Sequence, residues 1–156
     1  MELFDEIKSL LDKHKIVYEI KHHPPTPTSE EAAKARSEPL KIGAKAIVIK
    51  ADEQFYLLVL PANRKIDSSL VKKAVNSKDL RFAMPEELFS LTGLRKGAVP
   101  PFGLLLNLPM LVDQALLAEE FIAFNAGSLE HSIKMKTEDY LKIAQPKLSS
   151  FSTALG

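Results

Sequence analysis

The sequence contains no cysteine, and this absence closes several kinds of chemistry to it. Without thiols the protein has no disulfide, no thiolate ligand for a metal ion and no cysteine nucleophile. The four histidines do not supply a metal site instead: His22 and His23 are adjacent, and neither His14 nor His131 has a second ligand at metal-binding spacing. We therefore predict no metal and no cofactor, and the missing cysteines favour a cytoplasmic location.

Long apolar runs and a large net charge are also missing. No run approaches the roughly 20 apolar residues that cross a bilayer, so no membrane partner is predicted. Because 21 Lys and Arg residues balance 20 Asp and Glu residues, the net charge of +1 does not indicate a nucleic-acid binder. A local basic patch is still compatible with this balance, and the pairs Lys72/Lys73 and Arg95/Lys96 are the candidates.

The signatures of common hydrolases and nucleotide-binding proteins are absent as well. The chain has no glycine-rich phosphate loop, and no serine lies in a nucleophile elbow. Adjacent carboxylates, such as Glu30 and Glu31, fall at or near predicted helices, where solvated faces and helix-end charge explain them. The sequence thus disfavours a covalent hydrolase.

What the sequence does contain is the pattern of one α/β domain covering residues 1–156, with 46% hydrophobic and 26% charged residues. Apolar spacing predicts helices from Leu3 to near residues 13–15, from Thr28 to before Pro39, and at 68–75, 86–91, 114–119 and 138–144. Runs rich in β-branched and apolar residues predict strands at 17–22, 44–49, 55–60, 80–83, 104–106, 110–112, 121–124 and 131–135. Thr28, Asp67 and Thr137 are the predicted helix caps, and the tail from Pro146 is predicted to be loose.

The strand at residues 44–49 is apolar on both faces except for one charge. Because side chains alternate along a strand, Lys45 shares a face with Ile47 and Ile49, and the other face carries alanine and valine. The strand at 44–49 and the apolar run at 55–60 together predict a central hairpin, covered by helices on the faces of the sheet. An unpaired buried ammonium is costly, so Lys45 either reaches solvent past the strand end or serves a site there.

The segment Gly97-Ala98-Val99-Pro100-Pro101-Phe102-Gly103, here called the 97–103 loop, combines two glycines with two prolines. Proline stiffens the chain and has no N–H, whereas glycine permits unusual dihedral angles. The loop is either a rigid connector or a preformed wall. As a wall, it would aim the amides of Ala98, Val99, Phe102 and Gly103 at a ligand oxygen.

Several short segments follow one another between Val17 and Ile143: Thr28-Ser29-x-Glu31-Ala32-Ala33, Gly43-Ala44-Lys45, Leu58-Val59-Leu60-Pro61-Ala62, Met84-Pro85-Glu86-Glu87, Leu91-Thr92-Gly93, the 97–103 loop, Val112-Asp113 and Ala126-Gly127. In this order they resemble the YbaK/ProX family of free-standing aminoacyl-tRNA deacylases. That family is related to the editing insertion domain of bacterial prolyl-tRNA synthetases.

The resemblance implies a single α/β domain with a mixed, barrel-like β-sheet flanked by helices. It also implies a trans-editing hydrolase that removes a wrongly attached small amino acid from the acceptor end of tRNA, with help from the substrate's own ribose hydroxyl. Lys45 matches the family's functional lysine, which makes it the catalytic candidate. The substrate-binding candidates are Thr28, Gly97, Ala98, Val99, Pro100, Pro101, Phe102, Gly103, Ala126 and Gly127. Aminoacyl-tRNA is the implied partner, an aminoacyl-tRNA synthetase is left open, and no DNA partner is implied.

Three departures from the family pattern leave the amino-acid specificity open. Ala46 stands where Thr is common, Pro100 stands where Ser is common, and Asn125-Ala126-Gly127 stands where some alanine-editing members have His-Pro. The main alternative is a non-catalytic module of the same fold that binds tRNA or a synthetase. A small-molecule esterase would need a nucleophile that this sequence does not offer.

Overall fold

A computed structural model describes residues 2–26 and 28–155 of the chain. Within them lie six α-helices: α1 (Leu3–Lys13), α2 (Ser29–Arg36), α3 (Ser68–Val75), α4 (Pro85–Thr92), α5 (Gly103–Leu106) and α6 (Thr137–Ala144). The same residues form ten strands: β1 (Tyr18–His22), β2 (Ala44–Ala51), β3 (Gln54–Pro61), β4 (Arg64–Ile66), β5 (Leu80–Phe82), β6 (Met110–Asp113), β7 (Phe121–Asn125), β8 (His131–Lys136), β9 (Lys147–Ser149) and β10 (Ser152–Ala154). In this described part, no helix has the length and apolar character that crossing a membrane requires.

The central sheet has five strands in the order β5-β2-β3-β6-β9. Strands β2 and β3 are antiparallel, with Lys45 opposite Leu60, whereas β3 and β6 run parallel. Each strand of the β2–β3 hairpin therefore has a neighbour on both sides. The central hairpin predicted from the two apolar runs is confirmed.

Two smaller sheets accompany the central one. Strands β1, β8 and β7 form an antiparallel sheet, and β10 pairs with β4. One parallel bridge between Gly43 and Ala123 connects the start of β2 to β7. The predicted α/β class with a mixed sheet is confirmed, but the barrel-like form is not. Within residues 2–26 and 28–155 the sheets do not close, because a single bridge stands where a barrel would need a continuous ladder.

The two faces of the central hairpin are covered by separate apolar cores. Leu57 and Val59 of β3 are fully buried in one core, and Leu58 and Leu60 are fully buried in the other. Alternation along the strand sends successive side chains into opposite cores. This arrangement explains why the sequence of β3 is continuously apolar instead of alternating.

Two of the three predicted helix caps are confirmed. Thr28 and Asp67 each accept a hydrogen bond from the amide three residues further on, at 3.1 Å in both cases. Thr137 is not a cap, because it is the first residue of α6 and Lys136 precedes the helix. The Thr137 hydroxyl instead donates to the carbonyl of Glu119 at 2.7 Å, which ties α6 to the preceding segment.

The strand predicted at residues 104–106 is wrong in type, whereas the brief helix predicted at 114–119 is confirmed as a short 3₁₀ helix. Residues Gly103–Leu106 form α5, in which the amide of Leu105 donates to the carbonyl of Phe102 at 3.1 Å. The 3₁₀ helix covers residues Gln114–Ala118. Short apolar runs do not distinguish a strand from one helical turn, so periodicity had little to decide on here.

The tail after Pro146 is paired, and the prediction that it is loose is therefore wrong. Strand β9 lies parallel to β6, and β10 lies antiparallel to β4. The buried carboxylate of Asp113 accepts a hydrogen bond from the amide of Phe151 at 2.9 Å, and the ring of Phe151 is fully buried. A buried charge-assisted hydrogen bond and an aromatic anchor thus hold the tail against the central sheet.

Candidate active site

A cavity of about 390 Å³ opens between α2, the start of β2 and the 97–103 loop. The bridge between Gly43 and Ala123 brings β2 and β7 together at this point. Alanine and glycine form much of its wall. The charged and polar side chains on the wall include those of Thr28, Glu30, Arg36, Lys45, Lys96 and Asn125.

Lys45 is the second residue of β2, and its half-buried side chain lines this cavity. Burial lowers the pKa of its ammonium below the ordinary value, while the negative charge of Glu30 acts in the opposite direction. The strand end that carries Lys45 is therefore also the wall of a cavity. A partly desolvated cation in such a place is suited to a negatively charged or strongly polar ligand.

Thr28 lies on the wall at the start of α2. Its hydroxyl accepts a hydrogen bond from the amide of Glu31 at 3.1 Å and donates to Glu31 Oε1 at 3.0 Å. Both contacts belong to the helix start. Thr28 thus shapes the wall while its hydroxyl proton is used inside the protein.

The 97–103 loop contributes two residues to the cavity. Gly97 and Val99 line it. The other members are buried without lining it: Ala98, Pro100, Pro101, Phe102 and Gly103. The loop is therefore both a wall, at its first residues, and a connector packed into the protein, at its last.

Most of the amides in this loop already have acceptors. Those of Ala98, Phe102 and Gly103 donate within or beside the loop, at 3.1, 2.9 and 3.4 Å. The amide of Val99 forms no hydrogen bond with any residue that the structure describes, although Val99 is only 5% exposed. The N–H of Gly97 likewise has no acceptor among the described residues, so Gly97 and Val99 hold the loop donors that remain for a ligand oxygen, and Val99 is the more buried of the two residues.

Aromatic packing fixes the second half of the loop. The fully buried Tyr140 of α6 donates its hydroxyl to the carbonyl of Pro101 at 2.6 Å. Its ring meets Phe102 edge-on, with 5.4 Å between centroids. Burial raises the pKa of the Tyr140 hydroxyl, which keeps it protonated as a donor. Pro101 and Phe102 are thus held in the core behind the cavity.

Ala126 and Gly127 do not line the cavity. Ala126 is fully buried, and its amide donates to the carbonyl of His131 at 3.0 Å. Gly127 packs against the side chain of Leu3. The residue directly before them, Asn125, is the one that lies on the wall.

One match with a known protein family covers most of the chain. The family described as the aminoacyl-tRNA editing domain matches residues 23–143, which include Lys45 and the whole 97–103 loop. The chain belongs to this family. The family membership predicted from the sequence motifs is therefore confirmed.

Relatives of this editing domain match it over nearly the whole chain. The Multifunctional Ser/Thr-tRNA deacylase ProXp-y of Escherichia coli K12 is 36% identical over 149 residues, which cover 92% of this chain and 89% of that protein. The Prolyl-tRNA editing protein ProX of Acetoanaerobium sticklandii is 27% identical and covers 97% and 96%. The crystal structure of a protein proposed to be a trans-editing enzyme for prolyl-tRNA synthetase has a TM-score of 0.84 over 99% of both chains, at 22% identity. That last likeness shows the shared fold.

Sequence reasoning missed two residues on the cavity wall, Arg36 and Asn125. Arg36 is only 5% exposed, and burial lowers the pKa of its guanidinium to about 10. In the sequence it looks like ordinary charge in the last turn of a helix, because its burial depends on strands almost a hundred residues away. For Asn125 one signal existed, since it directly precedes the Ala126-Gly127 motif.

The basic pairs differ in their relation to the site. Lys96 lines the cavity, whereas Lys72 and Lys73 lie on α3 and are not part of the wall. Two of the histidines are neighbours, since the rings of His22 and His131 pack edge-on with 4.8 Å between their centroids. No group of three His, Asp or Glu residues in ranges 2–26 and 28–155 is arranged to hold a metal ion.

Proposed function

We propose that this editing domain acts in trans on mischarged aminoacyl-tRNA and hydrolyses the ester that joins a small amino acid to the terminal adenosine. One observation carries the proposal: Lys45, which has a half-buried side chain, and Val99, whose amide has no acceptor among the described residues, line the same cavity in a member of the editing family. Both groups are donors of the kind that stabilise negative charge as it develops on an oxygen.

The reaction needs water and no protein nucleophile, because an aminoacyl ester is already activated. Water attacks the ester carbonyl carbon, and negative charge develops on the carbonyl oxygen. The Val99 amide donates to this oxygen, and the Lys45 ammonium stabilises it or the neighbouring terminal phosphate. As the carbon–oxygen bond to the ribose breaks, the leaving ribose oxygen takes up a proton, which balances the one that the attacking water loses. The products are a free amino acid and tRNA with both terminal hydroxyls, and no step requires a metal.

The wall also suits the amino acid itself. Glu30 provides a carboxylate for the amino acid's ammonium group, and the alanine-rich surface leaves room for a small side chain. The Escherichia coli relative is named a Ser/Thr-tRNA deacylase. Seryl and threonyl esters are therefore the first substrates that we propose, and a synthetase acts at most as an accessory partner.

The proposal predicts faster hydrolysis of at least one mischarged tRNA that carries a small amino acid. The measurement is a deacylation panel with seryl-, threonyl- and alanyl-tRNA, each as correctly charged and mischarged species, compared with spontaneous hydrolysis. We expect the rate to survive exhaustive chelation. Parallel reactions with added prolyl-tRNA synthetase reveal whether a synthetase contributes.

The rival function gives a different result in the same panel. A non-catalytic module would bind tRNA or the synthetase and leave every ester to decay at its spontaneous rate. Acceleration that EDTA removes and zinc restores would contradict the metal-free mechanism while leaving the editing function intact.

A second prediction concerns the protonation of Lys45. If its ammonium stabilises the reacting oxygen, activity falls as pH rises through the pKa of Lys45, which burial has lowered. Glu30 raises that pKa, so Glu30→Gln lowers it further. We expect the alkaline limb of the single-turnover pH–rate profile to move to lower pH in this variant, after subtraction of spontaneous hydrolysis.

The profile is measured as kcat/KM at subsaturating enzyme concentration, so that it reports the free enzyme and the free substrate. The amino group of the free substrate titrates equally with both enzymes and therefore cancels in this comparison. Glu53→Gln, in the exposed turn between β2 and β3, is the matched control and should leave the limb in place. An alkaline limb that stays fixed in Glu30→Gln, or moves to higher pH, would show that Lys45 is not the titrating group.

A further inference from the structure

Two side chains connect the far wall of the cavity to the 97–103 loop. Arg36 Nη2 donates to Asn125 Oδ1 at 3.1 Å, and Asn125 Nδ2 donates to the carbonyl of Gly97 at 2.7 Å. These contacts, here called the Arg36–Asn125 relay, join α2 to the end of β7 and then to the loop. All three residues lie on the cavity wall.

The hydrogen bonds of the relay can be donated in one direction only, from Arg36 to Asn125 and from Asn125 to Gly97. A guanidinium donates and never accepts, so Asn125 must turn its oxygen toward Arg36. Its NH₂ group is then left facing Gly97, whose carbonyl only accepts. The hydroxyl of Ser132 supports the same orientation, because it accepts from Arg36 Nε at 2.9 Å and donates to Asn125 Oδ1 at 3.2 Å.

The burial of Arg36 is expensive, and ion pairing does not explain it. Its hydrogen-bond partners here are the neutral side chains of Ser132 and Asn125. The negative charge of Glu38 raises the pKa of Arg36, but Glu38 forms no direct hydrogen bond with it. The Glu38 carboxylate instead pairs with Lys134 at 3.2 Å. A buried cation held by neutral groups is unfavourable for stability, so its retention is better explained by a task at the site.

The relay fixes one peptide plane from both sides. Asn125 holds the carbonyl of Gly97, and the amide of Ala98 in the same peptide donates to the carbonyl of Arg95 at 3.1 Å. Gly97 has φ of 90°, a left-handed conformation that favours glycine. The next amide along the chain is that of Val99. Once the Gly97–Ala98 peptide is fixed, the direction of the Val99 N–H is constrained.

We propose that Arg36 and Asn125 are positioning residues, which aim the Val99 amide at the reacting oxygen by holding the Gly97–Ala98 peptide plane. This inference rests on the proposed deacylation. Neither residue needs to touch the ester. Their contribution is to the transition state, in which an amide that is displaced by about 1 Å loses much of its effect.

The decisive variant is Asn125→Asp, which keeps the size of the side chain and its contact with Arg36. It removes the donor to Gly97, turns an oxygen against the Gly97 carbonyl and adds a negative charge next to the Arg36 guanidinium. We expect kcat to fall about tenfold to a hundredfold with KM nearly unchanged. Asn76→Asp, the same chemical change at the exposed end of α3, is the control and should have no effect. An unchanged kcat in a folded Asn125→Asp protein overturns the proposal.

Arg36 offers an independent test through chemical rescue. Arg36→Ala leaves a space next to the cavity, and added guanidinium at low millimolar concentration should restore part of the lost kcat. Arg36→Lys should remain impaired, because one ammonium cannot reproduce the guanidinium fork that reaches both Ser132 and Asn125. Melting temperature and circular dichroism confirm that each variant is folded. Full activity of Arg36→Lys, or no rescue of folded Arg36→Ala, contradicts the relay, whereas an inactive wild-type chain contradicts the proposed function itself.

Discussion

Lys45→Ala is expected to slow deacylation by about a hundredfold or more while the protein stays folded. The side chain is only half-buried at a strand end, so its removal should change the stability little. The rate is different, because a cation that stabilises a developing oxyanion is typically worth about two to three orders of magnitude. The loss should appear in the single-turnover rate constant for hydrolysis. Melting temperature and circular dichroism are recorded for the same preparation.

Lys50 provides the matched control on the same strand. It lies near the other end of β2, where its ammonium is 5.4 Å from the centroid of the Phe55 ring, and it does not line the cavity. Lys50→Ala should therefore keep a rate close to that of the wild type. Near-wild-type activity of Lys45→Ala, or a loss explained entirely by unfolding, would show that the site has been assigned to the wrong residue.

Gly103→Ala is expected to destabilise the fold by about 3 kcal/mol, at the upper end of what overpacking costs. A methyl group at this position would lie 2.5 Å from the carbonyl oxygen of Leu108 and 2.9 Å from Met110 Cβ. The first neighbour is backbone, which cannot rotate away. In a chain of this size such a loss corresponds to a fall in melting temperature of roughly 10 °C. Thermal and urea unfolding measure it directly.

Gly93→Ala separates overlap from backbone strain in this experiment. Gly93 has φ of 73°, and a methyl group there would meet nothing within 4 Å. Gly93→Ala should lower the free energy of unfolding by only about 1 kcal/mol, because alanine has to adopt the left-handed conformation. Equal stabilities of Gly103→Ala and Gly93→Ala would mean that the close contact between α5 and residues 108–110 is not as described.

The central hairpin was predictable because its signal is local. Strands β2 and β3 are apolar runs of strand length, rich in β-branched and aromatic residues and separated by a polar turn, and this combination favours strands over a buried helix. Lys45 could be selected for the same reason, as the charge that breaks the pattern. Its position on the cavity wall agrees with that selection, while its catalytic role stays a prediction.

The rest of the site depends on contacts between distant parts of the chain. Arg36 and Asn125 are 89 residues apart, and Asn125 and Gly97 are 28 residues apart. No periodicity within a single element can report such contacts. The 97–103 loop shows the same limit: its composition indicated rigidity, but which amides have no acceptor depends on Arg95, Pro100 and Met110.

The paired tail has a practical consequence for anyone who labels this protein. Strand β10 delivers Leu155 to the wall of the cavity, and the amide of Leu155 donates to the carbonyl of Asn63 at 3.4 Å. An affinity tag or fluorescent fusion attached after this residue would emerge beside the opening through which, under the proposed function, the acceptor end of tRNA enters. A label at the carboxyl end should therefore carry a cleavable linker and be removed before any binding constant or rate is compared.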